Sequence, residues 1–221
     1  MKKYTIITSL FAVSLLTTPV AMAGDFGLGL SVGTSGVSAE VKTNMSDKLV
    51  LRGAYNYFDL DVDEVYDGIA YTGKFDMSTF GGFADFHPMG NGFLLSGGAY
   101  LGDKGLTLNS APTGNVTIGD INYTPAQVGT LKSTVELASL APYAGLGFDN
   151  FGMTDGAFSV NLRLGVMMTG TPEVDLQSAG GLLSGNPLLE AEIAREEANI
   201  ADEIDKYKFF PVISIGTAYA F

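Results

Sequence analysis

The chain has 221 residues, with no cysteine, no tryptophan, 29 glycines and a formal net charge of −12. The missing cysteines exclude a disulfide scaffold and a thiolate metal centre. A composition that is 46% hydrophobic and 16% charged excludes a disordered chain, and the acidic balance argues against a nucleic-acid partner. The length suits one domain, so the question is where so much apolar side chain goes.

Residues 1–23 read MKKYTIITSLFAVSLLTTPVAMA. Lys2 and Lys3 precede an apolar stretch from Ile6 to Val20, and Ala21-Met22-Ala23 has the small-x-small form of a cleavage site. This is the layout of a secretory signal peptide cut after Ala23. Loss of Lys2 and Lys3 leaves 10 basic against 24 acidic residues, a net charge of −14. No later window holds the roughly 20 continuous apolar residues of a spanning helix. An exported, apolar, glycine-rich chain of this kind is either a membrane β-barrel or a secreted β protein.

From Gly24 onward, eight segments alternate with the period of a strand: 26–33, 37–43, 48–60, 70–86, 92–104, 130–148, 157–172 and 210–221. In 157–168, Phe158, Val160, Leu162, Leu164, Val166 and Met168 share one face, and Ser159, Asn161, Arg163 and Gly165 the other. In 210–221, Pro211, Ile213, Ile215, Thr217, Tyr219 and Phe221 oppose Val212, Ser214, Gly216, Ala218 and Ala220. The bulk points out and the small residues point in, opposite to a soluble barrel. The strand 70–86 is ambiguous, with Phe75, Met77 and Phe83 on one face and Phe80, Ala84 and Phe86 on the other. Short connections (44–47, 87–91, 149–156) alternate with long ones (61–69, 105–129, 173–209), as in outer-membrane barrels, except that the first hairpin, around Gly33–Gly36, is tight on the nominally long side. The expected fold is all-β, a membrane-spanning up-and-down antiparallel barrel of eight strands over residues 24–221. Placing Glu40 and Arg52 both inward selects a three-residue loop, Met45-Ser46-Asp47, with Asn44 opposite Lys48 and Glu40 opposite Arg52.

The last residues, Ser214-Ile215-Gly216-Thr217-Ala218-Tyr219-Ala220-Phe221, resemble the C-terminal signal of bacterial outer-membrane barrels, with Ser214, Gly216, Tyr219 and Phe221 at the matching positions. In that family the barrel-assembly machinery reads this strand. Across 24–221 the chain resembles the small eight-stranded barrels, the group of the OmpA transmembrane domain, OmpW and the opacity-type proteins. Residues 36–60 are similar to their second hairpin. The resemblance implies an outer-membrane location, lipid and lipopolysaccharide as surroundings, and a monomer. It lacks an appended peptidoglycan-binding domain after Phe221 and adds an acidic insert.

That insert, 186–207, reads NPLLEAEIAREEANIADEIDKY. Asn186 suits the cap, Pro187 the first turn, and Leu189, Ile193, Ile200 and Ile204 one helical face. An extracellular amphipathic helix before the last strand is expected, either packed on 105–129 or forming a docking face or lid. The acidic run Asp59, Asp61, Asp63, Glu64 and Asp67 does not fit an EF-hand, so loose screening of divalent ions is expected rather than a specific Ca²⁺ site.

Arg52 and Arg163 fall on inward positions, because a charge facing hydrocarbon costs about 2–4 kcal/mol at the midplane. With Glu40, and Asp85 placed near the lower rim, they form a candidate lumen network that plugs the barrel. A structural or surface-interaction role follows. The alternative is a narrow, OmpW-like passage for small hydrophobic or ionic solutes. Catalysis is not expected: the single histidine, His87, sits beside Pro88 in a short turn, at the opposite end from the lipid-modifying barrel enzymes' site. No cofactor is implied.

Overall fold

The computed structural model describes residues 26–221, apart from 67, 68, 154, 155, 205 and 207. The expected signal peptide, 1–23, lies outside the described residues. In chain order the elements are β1 (Phe26–Gly33), β2 (Gly36–Ser46), β3 (Leu49–Tyr66), β4 (Ile69–Phe86), β5 (Phe93–Ala111), β6 (Val116–Ile118), β7 (Ile121–Tyr123), α1 (Pro125–Val128), β8 (Gly129–Glu136), β9 (Leu140–Asp149), β10 (Phe158–Met168), β11 (Glu173–Gly180), α2 (Pro187–Ile204) and β12 (Phe209–Ala220). Eight strands close a ring of antiparallel neighbours, β1-β2-β3-β4-β5-β9-β10-β12, with β12 returning to β1. The architecture is an eight-stranded, membrane-spanning up-and-down barrel with a helix before the last strand.

Alternation explains each wall strand. On β10, Phe158, Val160, Leu162, Leu164, Val166 and Met168 are exposed on the outer wall, while Ser159, Asn161 and Arg163 are buried inside. The ambiguous strand resolves the same way: Phe75, Met77 and Phe83 face the lumen and Phe80, Ala84 and Phe86 face outward. Aromatic rings that add bulk inside rest on inward glycines, since a Cβ on Gly81 would overlap Phe83 and a Cβ on Gly145 would overlap Tyr143.

The outer face also marks where the hydrocarbon ends. Along β3 it reads Leu51, Gly53, Tyr55, Tyr57, then Asp59, Asp61, Asp63. Along β4, read from the other end, it is Phe86, Ala84, Gly82, Phe80, Ser78, then Asp76, Lys74, Thr72. The apolar part of each strand matches the roughly 10 residues needed to cross a bilayer. The 18 residues of β3 and of β4 therefore carry the hairpin well past it.

Above that line the strands build a head. β5 pairs with β9 from Phe93 to Leu101 and with β8 from Gly105 to Ser110, and β8 pairs with β11. The switch occurs at Gly102, whose φ of +136° is a glycine conformation. Lys104 braces the fork by donating from Nζ to the carbonyls of Gly102 (2.8 Å) and Ser139 (3.0 Å). α2 covers the inner face of this sheet extension through a small core of Ile118, Tyr123, Val128, Leu176, Leu189 and Ile193. The Asn186 side chain caps the helix by accepting from Leu188 N at 2.9 Å. Three helix carboxylates accept backbone N–H groups: Glu192 from Asp120 (3.0 Å), Glu196 from Gly119 (3.1 Å) and Glu197 from Leu176 (2.7 Å). The acids of α2 are thus partly fasteners for the β6–β7 turn and the edge of β11.

Several expectations are corrected. The spans 61–69, 105–129 and 173–209 are not plain loops: the ends of β3, β4 and β5 with β6–β7, α1, β11 and α2 lie in them. The segment 130–148 is two strands, β8 in the head and β9 in the wall, divided at 137–139, so only the second half crosses. The second hairpin is shifted by two residues: Glu40 faces Ala54, Lys42 faces Arg52, Asn44 faces Val50 and Ser46 faces Leu49, with a bulge at Met45. A two-residue slip keeps the same faces, so Glu40 and Arg52 remain inward despite the wrong pairing. Among the described residues no trio of His, Asp and Glu is grouped to hold a metal, and Asp59 instead pairs with Lys74 at 3.1 Å.

Replacing an outward wall residue with a cation tests the apolar belt. Leu162→Arg should lower the unfolding free energy in lipid vesicles by about 2–4 kcal/mol, whereas Asp61→Arg should change it by less than about 0.5 kcal/mol. Equal effects at the two positions would show that the wall does not face hydrocarbon.

Candidate functional site in the barrel lumen

Six charged side chains meet in the lower half of the lumen, all buried: Glu40 and Lys42 from β2, Arg52 from β3, Asp85 from β4, Asp149 from β9 and Arg163 from β10. Three are cationic and three anionic, so the group is neutral when fully ionised. Arg163, 2% exposed, reaches every carboxylate: Asp149 at 2.6 Å, Asp85 at 3.4 Å and Glu40 at 3.5 Å. Arg52 donates from Nε to Asp85 at 2.9 Å and lies 3.7 Å from Glu40. Lys42 donates to Asp149 at 2.6 Å and lies 3.6 Å from the second oxygen of Glu40.

Neutral groups finish the arrangement. Ser31 donates to Glu40 at 3.0 Å, Ser96 to Asp85, and Phe151 N to Asp149 at 3.0 Å. Arg163 Nη1 donates to Asn161 at 2.7 Å. Ionic groups taken from water are tolerated when each is paired and hydrogen-bonded. Glu40 Oε2, Asn161 Nδ2 and Arg163 Nε have no hydrogen-bond partner among the described residues.

Apolar layers lie on both sides of the charges. On the head side, the Arg52 guanidinium stands over the Phe83 ring, 4.0 Å from its centroid, a cation–π contact. Phe83, Tyr100 and Tyr143 stack edge to face at 5.0–5.7 Å, packed with Ala54, Met77, Ala141, Met167 and Val212. Above them are Phe58, Phe75 and Phe210. On the other side, Phe151 of the β9–β10 turn folds up into the barrel mouth against Val50 and Ala218. A Cβ on Gly27 would overlap its ring, and Lys42 Nζ sits 5.6 Å from the ring centroid.

The four residues singled out from sequence, Glu40, Arg52, Asp85 and Arg163, are brought together here. Asp85 lies in the middle of the group rather than at the rim. Lys42 and Asp149 were missed. Lys42 has the same strand parity as Glu40 two residues earlier, which was a usable signal. Asp149 ends its strand and was read as part of a turn. At the C-terminus, Ser214 and Gly216 face the lumen, where a Cβ on Gly216 would crowd Ser31. Tyr219 and Phe221 face outward, Tyr219 packing edge to face on both Phe158 (5.0 Å) and Phe221 (5.2 Å).

Two solved structures from Acinetobacter baumannii share this architecture. CarO2 superposes with a TM-score of 0.62 at 22% identity, covering 90% of this chain and 99% of that one. CarO gives 0.59 at 24% identity, covering 89% and 98%. The shared fold is an eight-stranded antiparallel β-barrel. No family model matches the chain, and no curated protein sequence does.

The pairing of opposite charges makes a distinct stability signature. Arg163→Met leaves an uncompensated buried anion and should cost about 3–5 kcal/mol. Adding Asp149→Asn should recover part of that loss, a coupling of about 1–3 kcal/mol in a double-mutant cycle by denaturant titration. Strict additivity of the two changes would mean the charges do not share one network.

Proposed function

We propose that this chain is an integral outer-membrane barrel with no standing aqueous path, serving as an anchor that presents a β-rich head with an acidic helix at the cell surface. The observation that carries the reading is the layered lumen, in which Phe151, the six charges and the Phe83–Tyr100–Tyr143 stack lie one above another. The interior of eight strands is just filled by side chains, which supports a plug. The β2–β3, β4–β5 and β9–β10 turns lie with Phe221 at one end of the barrel, and the head with the tight β1–β2 turn at the other, which fits a periplasmic and an extracellular side. The role is non-catalytic in this reading, and the protein works as a monomer in lipid and lipopolysaccharide. Ser214, Gly216, Tyr219 and Phe221 serve as the signal for barrel assembly, with the outward Tyr219 and Phe221 as the readable side chains. A second reading, a narrow route for small hydrophobic or ionic solutes, draws support from the aromatic upper lumen formed by Phe58, Phe75, Phe83 and Phe210.

Planar-bilayer recordings separate the two. The plugged barrel should show no large, steady open levels, and liposomes containing it should not swell faster in small sugars or amino acids than empty ones. Steady conductance or solute-dependent swelling would replace the first reading with the second. Deletion of Phe221 should reduce the amount of folded, heat-modifiable protein in outer-membrane fractions. Unchanged levels would remove the assembly role from this residue.

A further inference from the structure

We infer that the short-turn end of the barrel holds a site for a soft monovalent metal ion, Cu(I) or Ag(I), with His87 Nε2 and the thioethers of Met45 and Met153 as its donors. Three turns converge there: the β2–β3 turn with Met45, the β4–β5 turn with His87, and the β9–β10 turn with Met153. They border one chamber of about 370 Å³, also lined by Asn44, Asp47 and Phe151.

His87 is the decisive residue. It is 1% exposed, although it belongs to a turn. Its backbone N donates to Lys48 O at 2.8 Å, and its Nδ1 lies 2.9 Å from Asn91 O. A carbonyl only accepts, so Nδ1 carries a proton, and in the neutral tautomer this leaves a bare lone pair at Nε2. That atom is buried with no hydrogen-bond partner among the described residues. A buried acceptor lacking a donor is unfavourable by about 1–3 kcal/mol, and a metal ion is one group that satisfies it.

The other donors on this chamber decide which metal. Met45 sits at the bulge of β2, between Asn44 and Ser46, where the register shifts, and borders the chamber. Met153 is held in its turn by donation from its N to Asn150 O at 3.1 Å. Each thioether hangs on rotatable bonds and adapts to an ion. Thioethers and imidazole favour Cu(I) over the hard, oxygen-seeking cations. All three donors are neutral, so the ion keeps its single charge, and the Asp47 carboxylate lies on the same wall to offset it. Phe151 closes the inner side and separates the site from Lys42. The site does not depend on which way the barrel faces; in the orientation proposed above it opens to the periplasm.

The test uses the folded protein in detergent micelles, titrated with Ag(I) alone in chloride-free buffer as a redox-inert probe. One ion per chain should bind, with the methyl resonances of Met45 and Met153 shifting in NMR and that of Met168, at the other end of β10, unmoved. His87→Gln and Met153→Leu should each weaken binding at least about tenfold. Met45 is 60% exposed, so Met45→Leu leaves the fold intact and should weaken binding similarly, as heat-modifiable migration of each variant verifies. Met168→Leu should bind as the unaltered protein does. Absence of bound silver, binding unaffected by Met45→Leu, or equal loss in Met168→Leu would overturn the site, as would an ordered water found on Nε2 in protein that takes up no silver.

Discussion

Arg163 lies within ion-pairing distance of the three carboxylates buried in the lumen, and the rest of the lumen is arranged around that fact. A barrel whose outer wall is given over to hydrocarbon has nowhere but its interior to put charge. In eight strands that interior is too narrow to hydrate six ions, so they neutralise one another. The residues come from β2, β3, β4, β9 and β10, which meet only when the ring is closed. The network therefore reports barrel closure in a way no single hairpin does. It also sets the layers beside it: Arg52 turns its guanidinium face to Phe83, and Asp149 uses its second oxygen to hold the Phe151 turn.

The change in outer-face chemistry along single strands is the second organising constraint. Along the described part of β3, Tyr55, Tyr57, Asp59, Asp61 and Asp63 stay on one face, and only the partner of that outer face changes from hydrocarbon to water. Beyond that line the inner face keeps its apolar character, as Leu106, Leu131, Leu176 and Phe75 show. An apolar face outside the membrane has to be covered, and α2 with the β6–β7 turn covers the β8–β11 half of it. The fork of β5 at Gly102 is what lets one sheet serve both ends, since β9 returns into the wall while β8 continues the head.

These constraints explain what was legible beforehand. Period-two alternation identified the wall strands, because hydrocarbon on one side and a packed lumen on the other enforce it at every residue of β10 and β12. The inward placement of Glu40, Arg52 and Arg163 followed from the same parity. The pairing of β2 with β3 did not, since the bulge at Met45 adds a residue that parity alone does not see. The spans read as loops were misjudged because their strands, β6, β7 and β11, are short and belong to the head rather than the wall, so the wall pattern fades. The fusion of β8 with β9 into one segment arose because 130–136 and 140–148 alternate alike, while the break at 137–139 contains neither Gly nor Pro. Lys42 and Asp149 escaped because a cation near a turn and an acid at a strand end look like surface residues until the lumen is seen to extend that far.

In the plugged reading proposed above, closure of the lumen is redundant, and the redundancy has a chemical logic. Each layer is complete in itself: Phe151 is fitted against Gly27, the charges balance as three against three, and the aromatic rings rest on glycines such as Gly81 and Gly145. Removing one charge does not open a path, because it leaves an odd charge that the remaining partners collapse around. Removing one ring leaves an apolar gap that stays dry, with the ionic layer intact below it. An aqueous route would require changes in at least the ionic and the aromatic layers together. A lumen built to gate would concentrate its barrier in one movable element. Here the barrier is spread over turn, ions and rings, each held by different strands, and that distribution is what makes an anchor for the head the better account of the barrel.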